Sequence, residues 1–278
     1  MKLIKPSVEI IKQEEYDLNN IFKFIELAGR TCYKSEDKIT EDSAGEFVGR
    51  MIKSGHGAML EHGTVYLTIP NKNISKSLLI YYCERNPYSK IVWTDTNVYI
   101  TTNYRVIIEN NWNDFLKYIT APTEFHVKRT TVKFICDRSV SHEFVRHRVF
   151  SFAQESTRYY NYTKDKFDNE LTFIIPCWIK DLKEDSYYAY CEYHNLKNDA
   201  SKRWFDICMA AEFVYTNLIE EGLKPQEARA VLPNSLKTEL IMTGFDSDWR
   251  HFFKLRCAPN AHPQAKELAN MLKDKFNK

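Results

Sequence analysis

Glycine is scarce in this chain, with eight residues in 278. Neither GxGxxG nor GxxxxGK followed by Ser or Thr occurs, so the two commonest glycine-rich phosphate loops are excluded. A dinucleotide bound here is held without a Rossmann fingerprint. No apolar run approaches the ~20 residues a membrane-spanning helix needs. The first residues, MKLIKPSVEIIKQEEYD, scatter charge where a signal peptide has a continuous apolar stretch. The expectation is a cytoplasmic protein with no membrane partner. Cysteine is present but unpaired in pattern: Cys32, Cys83, Cys136, Cys177, Cys191, Cys208 and Cys257 are odd in number and include no CxxC. Reduced, mostly buried thiols are expected, and no metal site. Charge of one sign is also lacking. The formal net charge is +2, which does not suit bulk electrostatic coating of polymeric nucleic acid. Any strong hold on phosphate must come from local clusters of arginine.

What is present is ordinary core material, 44% hydrophobic against 27% charged residues, read as one domain over residues 1–278. Val8 to Lys12, Thr64 to Ile69 and Lys128 to Cys136 read as strands. Leu18 to Ala28 carries apolar residues at helical spacing. Ser43 with Glu46 reads as a capping box for a helix reaching Lys53 and stopping at Gly55. Val98 to Thr102 and Tyr104 to Glu109 read as a hairpin around Asn103, and Ser139 to Arg146 as a short helix. Beyond that the chain reads as mostly helical: Tyr187 to Glu221, a helix from Pro225 to Val231 stopped by Pro233, Asp248 to Leu255 and Gln264 to Phe276. Strands and helices do not alternate regularly, so the expected class is α+β, a mixed or antiparallel sheet with packed helices and a helical C-terminal half.

The densest cluster of chemistry is RHRVFSFAQESTR, Arg146 to Arg158. Guanidinium groups fork onto phosphate oxygens, and serine hydroxyls and free N–H groups complete such a cradle. Read from composition alone, it is equally a solvated basic loop beside an aromatic strand. The aromatics interleaved with its cations (Phe150, Phe152, Tyr159, Tyr160) leave open a single-stranded nucleic-acid-binding surface. His142 and His147 imitate the zinc motif HExxH but stand five apart, about 140° round a helix, which does not suit a shared metal.

That segment fits RHRxxSxxxxSxR, and here the chain resembles the flavin-dependent thymidylate synthases. Three further segments agree in order: Gly55-His56-Gly57 with Leu60-Glu61-His62, the EARxxLP stretch from Glu227 to Pro233, and the WxxFxxLR stretch from Trp249 to Arg256. The resemblance implies conversion of dUMP to dTMP, with methylenetetrahydrofolate as carbon donor, NADPH as reductant and FAD as cofactor. It also implies a homotetramer with sites at subunit junctions. Carried over, the FAD contacts are His56, Ala58, Glu61, Arg146, His147, Arg148, Gln154 and His251. The dUMP contacts are Glu143, Arg146, Gln154, Glu155, Ser156, Thr157, Arg158, Arg229 and Arg256. Arg256 is the catalytic residue, a fixed cation beside a uracil ring that gains negative charge. Cys177, in Pro176-Cys177-Trp178, reads as a packing residue. Many relatives have Thr at Ala58 and some have Glu at Gln154 or Gln at Glu143. The stretch Gly244 to Ser247 lacks an Asn and an Arg found in some. A flavin-binding homologue acting on another nucleotide therefore stays open. Asn71 to Lys128, longer than in the shortest relatives, reads as scaffold.

Overall fold

The computed structural model describes residues 1–13, 15–75, 86–158, 161–163, 170–182, 196 and 198–276. Its centre is an antiparallel sheet in the order β2 (Ser7–Ile11), β6 (Arg129–Asp137), β9 (Lys237–Phe245), β7 (Ser151–Gln154). Val132 pairs with Met242 and Phe134 with Leu240. Successive side chains alternate across the pleat, so these four and Cys136 bury on one face. There they meet α5 (Arg138–Phe144), α8 (Asp246–Arg256) and α9 (Pro263–Phe276). Phe150 packs edge-on against Trp249, ring centres 4.6 Å apart. Ala153 and Ile241 face the other way, towards α1 (Leu18–Tyr33), α2 (Ser43–Lys53) and a second sheet. That sheet has the order β3 (Thr64–Pro70), β5 (Asn97–Asn103), β4 (Lys90–Trp93). A third cluster joins α6 (Asp199–Glu220) to β1 (Lys2–Ile4), which pairs in parallel with β8 (Thr172–Ile174).

The class is α+β with antiparallel sheets and packed helices, and the C-terminal part is helical around one long strand. That strand, β9, is absent from the sequence expectation. It lies between two neighbours with both faces covered, so it shows no in–out alternation, and Lys237 and Glu239 give it the look of a surface segment. The hairpin around Asn103 is also corrected. The Asn103 side chain accepts from the Val106 N–H at 3.1 Å, ending β5 and capping α4 (Tyr104–Glu109). An Asn serves as N-cap as readily as turn residue. Ser43 is not a cap: it is the first helical residue of α2, and its hydroxyl bonds Thr40 and Glu26. Most of the stretch expected to open the long helix, 187–195 and 197, lies outside the described residues, as do Cys83, Cys191, Tyr159 and Tyr160. The five described cysteines form no disulfide. No helix among the described residues is long and apolar enough to cross a membrane.

Candidate active site

Helix α5 starts at one end of the central sheet, capped by Asp137, whose carboxylate accepts from the Val140 N–H at 2.8 Å. It stops at Phe144, so Arg146 to Arg148 lie in the turn that follows. That turn is pinned twice. His147 and Phe150 are buried while Arg146, Arg148 and Val149 are exposed, and the Phe150 N–H donates to the His147 carbonyl at 3.1 Å. Helix α8 begins at the opposite end of the sheet and runs back alongside, delivering Arg256 in its last turn. The Arg256 Nη1 pairs with the Glu143 carboxylate, and Nη2 donates to the Glu143 carbonyl. The second bond satisfies a carbonyl that the end of α5 leaves open.

Arg256 Nε donates to His147 Nε2 at 3.0 Å. Arginine carries donors only, so that nitrogen is the acceptor and the proton of a neutral His147 sits on Nδ1. Burial, then the charges of Arg256 and His251, hold His147 down at about 4, against a weaker opposite pull from Glu143. The imidazole is uncharged at neutral pH and the guanidinium is charged.

Glu143, Arg146, His147, Arg148, His251 and Arg256 line one cleft of about 620 Å³. Three guanidinium groups against one carboxylate make it cationic, which suits a phosphate-bearing ligand. Asn260 and His262 line it as well, and the sequence reading missed them. Their signal is the Pro- and Asn-containing connection directly after the WxxFxxLR segment, a loop position between two rigid helices.

The remaining predicted residues form two other groups. Past the end of β7, Arg229 Nη1 donates to Thr157 Oγ1 at 3.2 Å and Arg158 Nε to Gln226 Oε1 at 3.3 Å. The Ser156 hydroxyl accepts from the Arg158 N–H at 3.3 Å. Gln154 and Glu155 turn inward: the Gln154 amide donates to Ser141 Oγ at 2.8 Å, and the Glu155 carboxylate meets Lys237 Nζ at 2.9 Å. Arg229 stands just past α7 (Pro225–Ala228), where Pro225 fills the first helical position and Glu227 accepts from the Lys224 N–H at 2.8 Å. The third group is at α3 (Gly57–Leu60). His56 Nδ1 bonds the Tyr33 hydroxyl at 2.9 Å, and Glu61 pairs with Arg105 at 2.7 Å. His56 and Ala58 are exposed. Arg105 comes from the segment between Asn71 and Lys128, so that segment supplies the partner of Glu61 as well as the second sheet.

The Cys177 thiol is pushed up, mainly by burial, which disfavours a thiolate nucleophile. Phe150 is 3% exposed and packed in the core, so it offers no face for base stacking.

Residues 109–278 match the family model Thy1, Thymidylate synthase complementing protein. The chain belongs to this family. Among Thy1 relatives, a flavin-dependent thymidylate synthase of Pyrococcus horikoshii is 31% identical over 134 residues, 48% of this chain and 48% of that one. The chain thus spans about half the length of that relative. A Pyrococcus furiosus flavin-dependent thymidylate synthase is 28% identical over 199 residues, 69% of this chain and 74% of its own. One from Corynebacterium glutamicum is 24% identical over 285 residues, 96% and 83% of the two. In solved structures there is a distant likeness, TM-score 0.45 at 17% identity, to a UMP/dUMP methylase PolB from Streptomyces cacaoi, covering 99% of this chain and 92% of that one. The Thy1 match starts beyond His56, Ala58 and Glu61.

Proposed function

We propose that this Thy1 protein is a flavin-dependent thymidylate synthase, converting dUMP to dTMP with methylenetetrahydrofolate as carbon donor and NADPH as reductant. The observation that carries this reading is the convergence of Arg146, His147, Arg148, His251 and Arg256 on one cationic cleft. FAD suits that cleft, because its pyrophosphate matches the guanidinium groups; once reduced it supplies the hydride, and no cysteine nucleophile is needed. Arg146 and Arg148 hold the phosphates, and neutral His147 keeps the Arg256 fork oriented through its Nε2. A uracil carbonyl arriving at Arg256 takes over the donors that Glu143 now occupies. Negative charge growing on the ring then meets a fixed cation in a partly enclosed site. Ser156, Thr157, Arg158 and Arg229 take the nucleotide phosphate.

The site residues fall on three parts of the fold, the α5–α8 cleft, the turn after β7 and the α3 segment, and α6 exposes Ile207, Met209, Phe213 and Val214. Both features fit a cytoplasmic homotetramer, each chain one domain, in which separate chains complete a site. The purified protein should be yellow, bleach with NADPH, and release tritium from C5-labelled dUMP when folate is present. A colourless protein that stays so after incubation with FAD refutes the flavin reading. A yellow protein that releases no tritium favours action on another nucleotide, for which the inward-turned Gln154 and the missing hydroxyl at Ala58 are the structural grounds.

A further inference from the structure

Glu155 stands between β7 and the turn Ser156 to Arg158, and only 2% of it is exposed. Its carboxylate takes Lys237 Nζ at 2.9 Å and the Glu239 backbone N–H at 3.1 Å. Lys237 also pairs with Glu239, whose carboxylate receives Lys34 Nζ and Lys133 Nζ at 2.6 Å each. Burial pushes the Glu239 carboxyl up, but Lys237, Lys34 and Lys133 overcome this and hold it well below the usual carboxylate range. Burial works to lower the Lys34 ammonium, and Glu239, with Glu155 and Glu36, more than offsets that, so it is raised. Both partners stay charged.

The cluster ties the turn to two separate elements. Lys34 ends α1 with a left-handed φ of 44°, and in the last turn of that helix the Cys32 carbonyl accepts from the Ser156 N–H at 3.2 Å. From the other side, the Glu155 N–H donates to the Glu239 carbonyl at 2.8 Å. Removing five charges from water is costly, and apolar residues of similar volume often do as well or better for stability. What fixed ion pairs add is a single arrangement of the atoms they join. Glu36, 3.5 Å from Lys34 Nζ, adds a third carboxylate, so three lysines face three carboxylates and the charges balance.

We propose that Glu155, Lys237, Glu239 and Lys34 form a positioning network for a nucleotide phosphate monoester, setting Ser156, Thr157 and Arg158 against Arg229. The proposal rests on the dUMP reading above and changes the role of Glu155 within it. Glu155 acts through the turn and does not touch the substrate.

The test compares wild-type holoprotein with Glu155→Gln and Lys34→Asn, using dUMP and deoxyuridine as probes, with flavin content and thermal midpoint measured alongside. Asn tolerates the left-handed backbone at position 34 while removing the charge. Glu155→Gln should weaken dUMP binding about tenfold, since it weakens a charged buried contact. Deoxyuridine affinity and flavin content should stay unchanged, and KM for dUMP should rise while kcat is kept. Lys34→Asn should move the same way by less, and it carries the test if Glu155→Gln does not fold. Equal losses for dUMP and deoxyuridine, or dUMP affinity unchanged in both variants, overturn the network while leaving the enzyme reading intact. A wild-type protein that binds no dUMP overturns both.

Discussion

His62 is a buried acid-sensitive point whose effect can be worked out. It is 0% exposed, and its Nδ1 bonds Thr243 Oγ1 at 2.9 Å, which in turn meets Thr131 Oγ1 at 2.8 Å. Burial first, and the Arg129 guanidinium second, lower it from 6.5 to about 3. A histidine held neutral in the fold favours unfolding wherever the unfolded chain binds the proton and the folded one does not. Stability is therefore lost as pH falls below 6.5, down to about 3. At pH 5 the unfolded group is about 1.5 units past its midpoint, which at about 1.36 kcal/mol per unit costs about 2 kcal/mol. His62→Asn keeps a donor or acceptor near Thr243 and removes the titration. At pH 8 the variant should be less stable than wild type, because the smaller side chain leaves a cavity. The gap should narrow by about 2 kcal/mol at pH 5. Urea unfolding of the apoprotein, followed by fluorescence of the five tryptophans, reads this directly, and His147 and His126 cancel because both proteins carry them. A gap that is the same at pH 8 and pH 5 refutes the reasoning.

Arg256→Ala should lower turnover by about 10²–10³ while flavin stays bound, measured as tritium release per bound flavin. Arg158→Ala should weaken dUMP more than flavin; stripping of flavin with dUMP affinity intact would show that the two ends of the arginine-rich segment have been assigned the wrong way round. A Cβ at Gly244 would stand 2.4 Å from the Phe150 ring. Gly244→Ala should cost about 1–3 kcal/mol of stability by overpacking and loosen the Arg146–Arg148 turn that Phe150 anchors. A lowered melting temperature together with reduced flavin retention would show both effects.

The parts of this molecule legible in sequence are those where one residue type at one spacing has one meaning. Apolar residues in α1 recur on a single stripe, and Arg146 to Arg158 carries more fixed polar positions than a surface loop needs. Other parts are written in residues with several uses. Asn103 suits a turn or a cap, and only the packing of Ile107 behind it decides. Lys237 and Glu239 look like surface, because the carboxylate and lysines that bury them come from β6, β7 and the end of α1. The division of the site into three groups was equally hidden, since spacing along a chain does not measure distance through space. Arg256 and Glu143 meet across more than a hundred residues, while Arg148 and Ser156, eight apart, serve different groups.

That last separation follows from β7. The strand has four residues, and at about 3.4 Å per residue it spans roughly 14 Å. The Arg146–Arg148 turn hangs from one end and the Ser156–Arg158 turn from the other, with Gln154 towards α5 and Ala153 towards α1. The counted gaps in RHRxxSxxxxSxR are thus a length gauge cut into the chain. One residue added inside β7 would lengthen the gauge and also turn every later side chain to the opposite face. Gln154 would leave Ser141, and Glu155 would leave Lys237. The number of residues between the two turns therefore matters here as much as their identity.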